Sequence, residues 1–528
     1  MPVGVVIECR DLEPVLDVEA LARTPLNDGV VSLSGRLSLA RLVHTINVNR
    51  LSGLVVVSRD EEAAWQQGRD ALRLAKEDPF ALGVLNLAEL CGHVHDRLQA
   101  TWKASLLLRA AAAMVREYPW LRPANIRLRL GGLRGRLSRR ALLTAPTRRH
   151  DVVPAIDEER CASSKGCDLC LKACPKRAIR LGDRSASIDK DRCLNCGLCV
   201  SVCPTGAAGH PFYRRRVLDA GLAALLADDF QGSHNRIVAF ACRGAMSTLR
   251  EAGRRRLSYL AGVLPLELPS AGFADLYLVL RAFDFGAAGV AVLSCEGSCS
   301  TACRPEAFRK RYSAVERVLD VLGLGDERLT LVSTDSVKRL ASRLNAFAED
   351  VLGLPPHVLC QELPVPGQMH QYRTAGLLAG MSRRIGIGDA LSVEHDGLPF
   401  GQAEFDADAC SLCGLCSDPC PTGALNYSQD SSSSRLEFTA RDCVGCRLCS
   451  DACPEGALRI VRRLEESSLT DDPIVLKSAH LCRCRQCGRG YASDAMVSNV
   501  LSRLGSRAPA ALAAYCPDCR MTAALRRI

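Results

Sequence analysis

One motif recurs four times in this chain and constrains it more than any other feature. Each copy has an apolar residue, four intervening residues, a cysteine, two further closely spaced cysteines, and then C-x3-C-P. The lead residues are Ile156, Ile188, Phe405 and Phe438, each five positions before Cys161, Cys193, Cys410 and Cys443. The endings are CPKRA from Cys174, CPTGA from Cys203, CPTGA from Cys420 and CPEGA from Cys453. Matches of this length do not arise by chance, and an internal repeat sets the architecture before any other reading.

In three copies the spacing is C-x2-C-x2-C-x3-C-P, the run in which three thiolates hold one [4Fe–4S] cluster and the fourth reaches the other cluster of a pair. The short spacing lets one loop present three sulfurs to three corners of a cube, and the proline stops the loop from continuing as helix. This crossing makes each adjacent pair of copies one folding unit. It assigns cluster A to Cys161, Cys167, Cys170 and Cys203, and cluster B to Cys193, Cys196, Cys199 and Cys174. Cluster C takes Cys410, Cys413, Cys416 and Cys453, and cluster D takes Cys443, Cys446, Cys449 and Cys420. The first copy departs from the pattern, because Ala-Ser-Ser-Lys-Gly separates Cys161 from Cys167. Unligated structural cysteines or zinc knuckles are the bland alternative, against which the fourfold repeat argues. The segments resemble two dicluster ferredoxin domains, over residues 153–211 and 402–463.

At 528 residues the chain exceeds what one hydrophobic core supports, so several domains are expected. A hydrophobic content of 48% with 24% charged residues excludes a disordered or coiled-coil chain. The 28 cysteines suit either a secreted disulfide framework or an intracellular metal protein. The start, MPVGVVIECRD, has no secretion signal, which favours the metal protein and a cytoplasmic location. The most apolar stretch, Ala271 to Ser294, is broken by Asp275, Arg281 and Asp284, so no membrane span is expected. The net charge is +10, and nine arginines with no acidic residue lie between Trp120 and His150. Residues 122–152 therefore read as a basic linker. Nucleic acid is not an expected partner, since no aromatic interleaving accompanies the arginines.

Apolar strands at Val3–Ile7 and Leu54–Ser58, with a helical stretch at Ala100–Glu117, suggest an α/β domain over residues 1–121. Neither G-x-G-x-x-G nor G-x4-G-K-[ST] occurs, so flavin, NAD and ATP are not expected cofactors. VGVVIECR, LDVEAL, VLNLAELCGHVH and ATWKASLLL resemble the N-terminal domain of the flavin-carrying heterodisulfide reductase polypeptide. That resemblance implies a cluster of the domain's own, but only Cys9 and Cys91 remain, with His93 and His95 beside them, and the flavin domain has no counterpart.

Residues 233–350 read as a second α/β domain, from IVAFAC, GVAVLSC and the helical stretch Phe308–Leu324. IVAFACRG, LPSAGFAD, VLRAFDFGAAGVAVLSCEGSC and FRKRYSAVERV resemble the delta subunit of methyl-viologen-reducing hydrogenase. The resemblance implies a [2Fe–2S] cluster and passage of electrons from a hydrogenase to heterodisulfide reductase. Cys242, Cys295 and Cys299 stand at cysteine positions of that family, Ser270 replaces another, and Cys303 adds a fourth thiol. The alternative is a docking domain with merely buried cysteines. Cys360 has no partner at motif spacing, and residues 351–401 read as a linker.

The tail, residues 470–528, carries C-x2-C at Cys484 and Cys487 and again at Cys516 and Cys519, the knuckles of a tetrahedral S4 site. A helix from Ser493 to Leu504 between them favours zinc over iron in a zinc-ribbon-like domain, with Cys482 to spare. The fold class is thus multidomain α/β and α+β, with two dicluster ferredoxin-like domains alternating with two α/β domains before the tail. The function read from it is single-electron relay in an oxidoreductase complex. A hydrogenase- or formate-dehydrogenase-like donor and a heterodisulfide-reductase-like acceptor are the partners that the two resemblances imply. The rival is an enzyme reducing a disulfide at an atypical cluster of its own, for which no active site is visible.

Overall fold

The computed structural model describes residues 2–9, 12–26, 30–118, 153–227, 236–297, 305–355, 374–387, 391–465, 472–505 and 511–525. The basic stretch 122–152 and Cys299, Cys303 and Cys360 lie outside them. Strands β1 (Val3–Glu8), β2 (Val30–Ser34), β3 (Gly53–Val57) and β4 (Leu82–Leu85) pair in parallel in the order β2-β1-β3-β4. The central strands β1 and β3 carry near-continuous apolar runs, those of parallel strands covered on both faces. The covering helices are α1 (Leu39–Asn49), α2 (Glu61–Leu74), α3 (Leu87–Cys91) and α4 (Arg97–Arg116). Each begins at a side-chain cap, Ser38, Asp60, Asn86 and Asp96 in turn, which accepts an otherwise unpaired backbone N–H.

The first four-cysteine pair folds as two short antiparallel ribbons. Strand β5 (Ala155–Ile156) pairs with β8 (Ala208–Gly209), and β6 (Ile179–Leu181) with β7 (Ala186–Ile188). Helices α5 (Leu169–Ala173) and α6 (Leu198–Ser201) follow the cysteine loops. The hydrophobic cluster of this unit is built on Ile179, Ala186 and Cys199, too little to hold a fold by apolar burial.

Helix α7 (Arg215–Leu226) leads into the second α/β layer, β9 (Ile237–Cys242), β10 (Val263–Leu268), β11 (Gly289–Ser294) and β12 (Leu329–Ser333). Its parallel order, β10-β9-β11-β12, repeats that of the first sheet. Helices α8 (Arg243–Arg254), α9 (Leu276–Asp284), α10 (Pro305–Val321) and α11 (Val337–Gly353) complete it. The two α/β layers share one hydrophobic core. α4 lies along α7, and α3 meets α8 backbone to backbone at two glycines. A Cβ on Gly253 would fall 1.7 Å from Glu89 O, and one on Gly92 2.8 Å from Gly253 O. Arg250–Glu61 at 3.0 Å and Arg254–Glu89 at 3.4 Å tie the rim of this contact.

The described residues of 351–401, a stretch read as a linker from its sequence, carry regular structure. Helix α12 (Thr374–Ile385) packs on α9, and β13 (Ser392–Glu394) pairs with β18 (Arg463–Glu465). Leu378, Met381, Leu391, Val393, Leu398 and Phe400 are buried, and their irregular spacing hid them from a periodicity reading. The second cysteine pair then forms β14 (Gln402–Phe405) against β17 (Leu458–Val461), the hairpin β15 (Leu425–Gln429) and β16 (Ser433–Phe438), and helix α13 (Leu448–Asp451). The tail was expected as a separate domain, yet β19 (Ile474–Arg483) adds directly to β16, and β20 (Gly490–Ser493) to β19. Helix α14 (Asp494–Leu504), capped by Ser493, and α15 (Pro517–Leu525) close the chain. Among the described residues no helix is long and apolar enough to cross a membrane.

Candidate metal centres

The cysteine loops are wound by left-handed residues at matching places, Asn195 and Gly197 in one, Leu412 and Gly414 in another, Gly445 and Arg447 in a third. This winding turns successive N–H groups inward, the arrangement of an anion-binding nest. The Cys174 Sγ accepts the Ala178 N–H at 3.2 Å, Cys193 that of Asn195 at 3.3 Å and Cys203 that of Ala208 at 3.3 Å. In the second unit Cys410 accepts from Leu412 at 3.3 Å and Cys420 from Leu425 at 3.5 Å. Hydrogen bonds of this kind hold thiolate charge and set the potential of a bound cluster.

The sulfurs assemble across the copies. Cys170 lies among Cys203, Cys167 and Cys161, and Cys199 has Cys196, Cys193, Cys170 and Cys174 as neighbours. In the second unit Cys416 neighbours Cys453, Cys449, Cys410 and Cys413, while Cys443 neighbours Cys449, Cys446 and Cys420. The last cysteine of each copy thus keeps company with the first three of its partner copy. Burial, reinforced by the neighbouring sulfurs, pushes Cys416 and Cys443 up to about 12 and Cys170 and Cys449 up to about 11. Four thiolates so placed need cationic iron to stay ionised, so the residues fit the clusters their spacing implies. At Cys161, burial acts upward, but the Ala186 N–H and Ser163 outweigh it and leave the thiol lowered.

In the central layer Cys242 ends β9 and its Sγ caps α8 through the Ala245 N–H at 3.5 Å. Cys295 follows β11, the strand beside β9, so both buried cysteines lie at the carboxyl edge of the sheet, where open α/β sheets bind ligands. Cys299 and Cys303, expected beside them, lie outside the described residues. Ser270 donates instead to the Cys196 carbonyl at 2.8 Å, joining this edge to the first cysteine unit. Gly197 in that loop is pressed onto the same edge, since a Cβ there would meet Phe273 at 2.5 Å.

His93, beside Cys91 in the sequence, is fully buried between the α/β layers. It stacks on Tyr259 at 3.6 Å and shares a hydrogen bond of 3.1 Å with Lys103 Nζ. No sequence pattern pointed to Lys103, a fully buried lysine inside an alanine-rich helix. In the tail the Sγ atoms of Cys484, Cys487, Cys516 and Cys519 all lie within 4.8 Å of one another, with Cys487 and Cys516 at 3.8 Å. A tetrahedral ion with bonds of about 2.3 Å spaces its sulfurs in this way. Cys482 is on β19, outside that group.

Crossed four-cysteine loops mounted on an α/β scaffold define an iron–sulfur electron-transfer protein. Residues 237–354 match the methyl-viologen-reducing hydrogenase delta subunit, and residues 160–207 and 409–457 each match the 4Fe-4S dicluster domain. The chain is 30% identical over 127 residues to the vhu iron-sulfur subunit of the F420-non-reducing hydrogenase of Methanocaldococcus jannaschii, covering 95% of that protein and 23% of this chain. It belongs to that family of hydrogenase iron–sulfur subunits. It is 44% identical over 55 residues to one component of the ion-translocating oxidoreductase complex of Methanosarcina acetivorans, 10% of this chain but only 20% of that protein. A ferredoxin of Methanothermococcus thermolithotrophicus is 38% identical over 53 residues, 10% of this chain and 87% of that protein.

Proposed function

We propose that this chain is a cytoplasmic electron-transfer subunit, relaying single electrons from a hydrogenase- or formate-dehydrogenase-like donor to a heterodisulfide-reductase-like acceptor. Cys161, Cys167, Cys170 and Cys203 hold one [4Fe–4S] cluster, and Cys193, Cys196, Cys199 and Cys174 the next. Cys410, Cys413, Cys416 and Cys453 hold a third, and Cys443, Cys446, Cys449 and Cys420 the fourth. When bound, each cluster takes up and gives back one electron at a time. The protein supplies sulfur ligands, inward N–H donors and partial burial, which keep the sites close and dry. Cys484, Cys487, Cys516 and Cys519 hold a structural zinc, and Cys242 and Cys295 with Cys299 and Cys303 hold a [2Fe–2S] cluster.

The observation that carries this reading is the crossed grouping of sulfurs in both units. The partners rest on the hydrogenase relative and on the resemblance of the first 121 residues. Protein purified without oxygen should carry about sixteen irons in its four cubes, with magnetically interacting centres in the reduced state. Fewer than about eight irons after careful reconstitution overturns it.

A further inference from the structure

The odd spacing of the first copy has a structural use. Its inserted loop places the Lys165 Nζ 3.4 Å from the Cys420 carbonyl, 255 residues away and in the other cysteine unit. Cys167 and Cys446, from opposite units, are near enough to act on one another electrostatically, as are Lys172 and Asp451. The face that touches is therefore the cluster A side of the first unit and the cluster D side of the second.

Helix α10 holds both units in that relation. Arg311 donates to Ser201 Oγ at 3.1 Å and to the Gly272 carbonyl at 3.2 Å, gripping the first unit and the edge on which it rests. Ser313, about half a turn further on, bonds His395 Nε2 at 3.2 Å on the strand segment that leads into the second unit. Gly397 is so close to α10 that a Cβ there would lie 2.0 Å from the Lys310 carbonyl.

We propose that Lys165 and α10 together join the two ferredoxin units into a single conductor, in which electrons pass in the order B, A, D, C or its reverse, and that Lys165 is the positioning residue of the A–D junction. This rests on the relay function proposed above. Each hop oxidises one site by one electron and reduces its neighbour by one, with no bond made or broken. The Lys165 ammonium, lying against the Cys420 loop, favours the more negative, reduced state of cluster D.

The test uses the full iron-loaded chain, reduced stepwise with dithionite and followed by EPR. Lys165→Glu should keep the wild-type iron content and shift the reduction step of one cluster to lower potential, while Lys165→Arg restores it. The double variant Arg311→Ala/Ser313→Ala should also keep its iron but lose the magnetic interaction that extends beyond each pair. Unchanged potentials in Lys165→Glu, or unchanged interaction in the double variant, overturn the junction. A wild-type chain that loads fewer than about eight irons instead sinks the relay reading itself.

Discussion

Lys103 is the residue whose surroundings differ most from what its side chain prefers. It is fully buried between the α/β layers, 3.1 Å from a neutral His93 and with its ammonium end 4.8 Å from the Tyr259 ring centre. Burial lowers it to about 7, with the nearby Cys91 acting in the opposite direction. In the unfolded chain a lysine keeps its proton to about pH 10.4. From about pH 7 to 10 the unfolded chain therefore binds the extra proton, and stability rises with pH. Below pH 7 the full penalty of a buried charge applies. Lys103→Met should remove this dependence, so the stability difference between variant and wild type should change by about 4 kcal/mol across that range. Denaturation followed by tryptophan fluorescence reports it, since all three tryptophans lie in the first 120 residues. Parallel pH curves would show that Lys103 is not desolvated. The crossed cysteines give a second prediction at this scale. Cys420→Ala should remove the EPR signature of the cluster on Cys443, Cys446 and Cys449 and spare that on Cys410, Cys413 and Cys416. Loss of the latter alone would reverse the pairing.

Among the elements, the α3–α8 contact is the least forgiving. Two helices approach this closely only where side chains are absent, and Gly253 lies over the Glu89 carbonyl with no room for a Cβ. Gly253→Ala should push the helices apart and destabilise the shared core by roughly 1–3 kcal/mol, the usual penalty of overpacking. Thermal unfolding of the iron-loaded protein measures this, with iron content expected to stay unchanged. A neutral substitution would mean that the α/β layers are not in backbone contact there.

At the scale of the whole molecule, the tail is an extension of the second ferredoxin sheet. β19 covers the edge of β16, and Lys477 donates to the Ala407 and Cys410 carbonyls, each at 2.6 Å, so the tail also braces a cysteine loop. Deleting residues 472–528 bares the β16 edge, which is an invitation to strand pairing between molecules. The truncated protein should load most of its iron yet elute as oligomers in size-exclusion chromatography. A monomeric truncated chain would show that the tail folds apart from the sheet. The two ferredoxin units differ in a related way. The first has a hydrophobic cluster based on three buried residues, whereas the second adds Leu412, Leu425, Leu436, Phe438, Leu458 and Ile460. The first unit accordingly depends more on its metal for folding.

The cysteine repeat was legible in the amino-acid order because it is a local pattern, with three cysteines of each copy on one short loop and that copy's fourth cysteine a fixed distance further on. The strands at Val3, Ile237 and Gly289, and the helix after Ser493, were legible for a similar reason, since apolar runs and caps act over a few residues. Contacts between distant segments leave no such trace. The burial of His93 and Lys103, the role of Ser270 at the Cys196 loop, the structured stretch around α12 and the fusion of the tail to β16 all depend on surfaces that meet only in the folded chain. The bond from Lys165 to Cys420 belongs with them. Sequence showed that the loop was longer than its three counterparts, but only the tertiary structure decided what that length reaches, because position in space is set by the packing of the whole core.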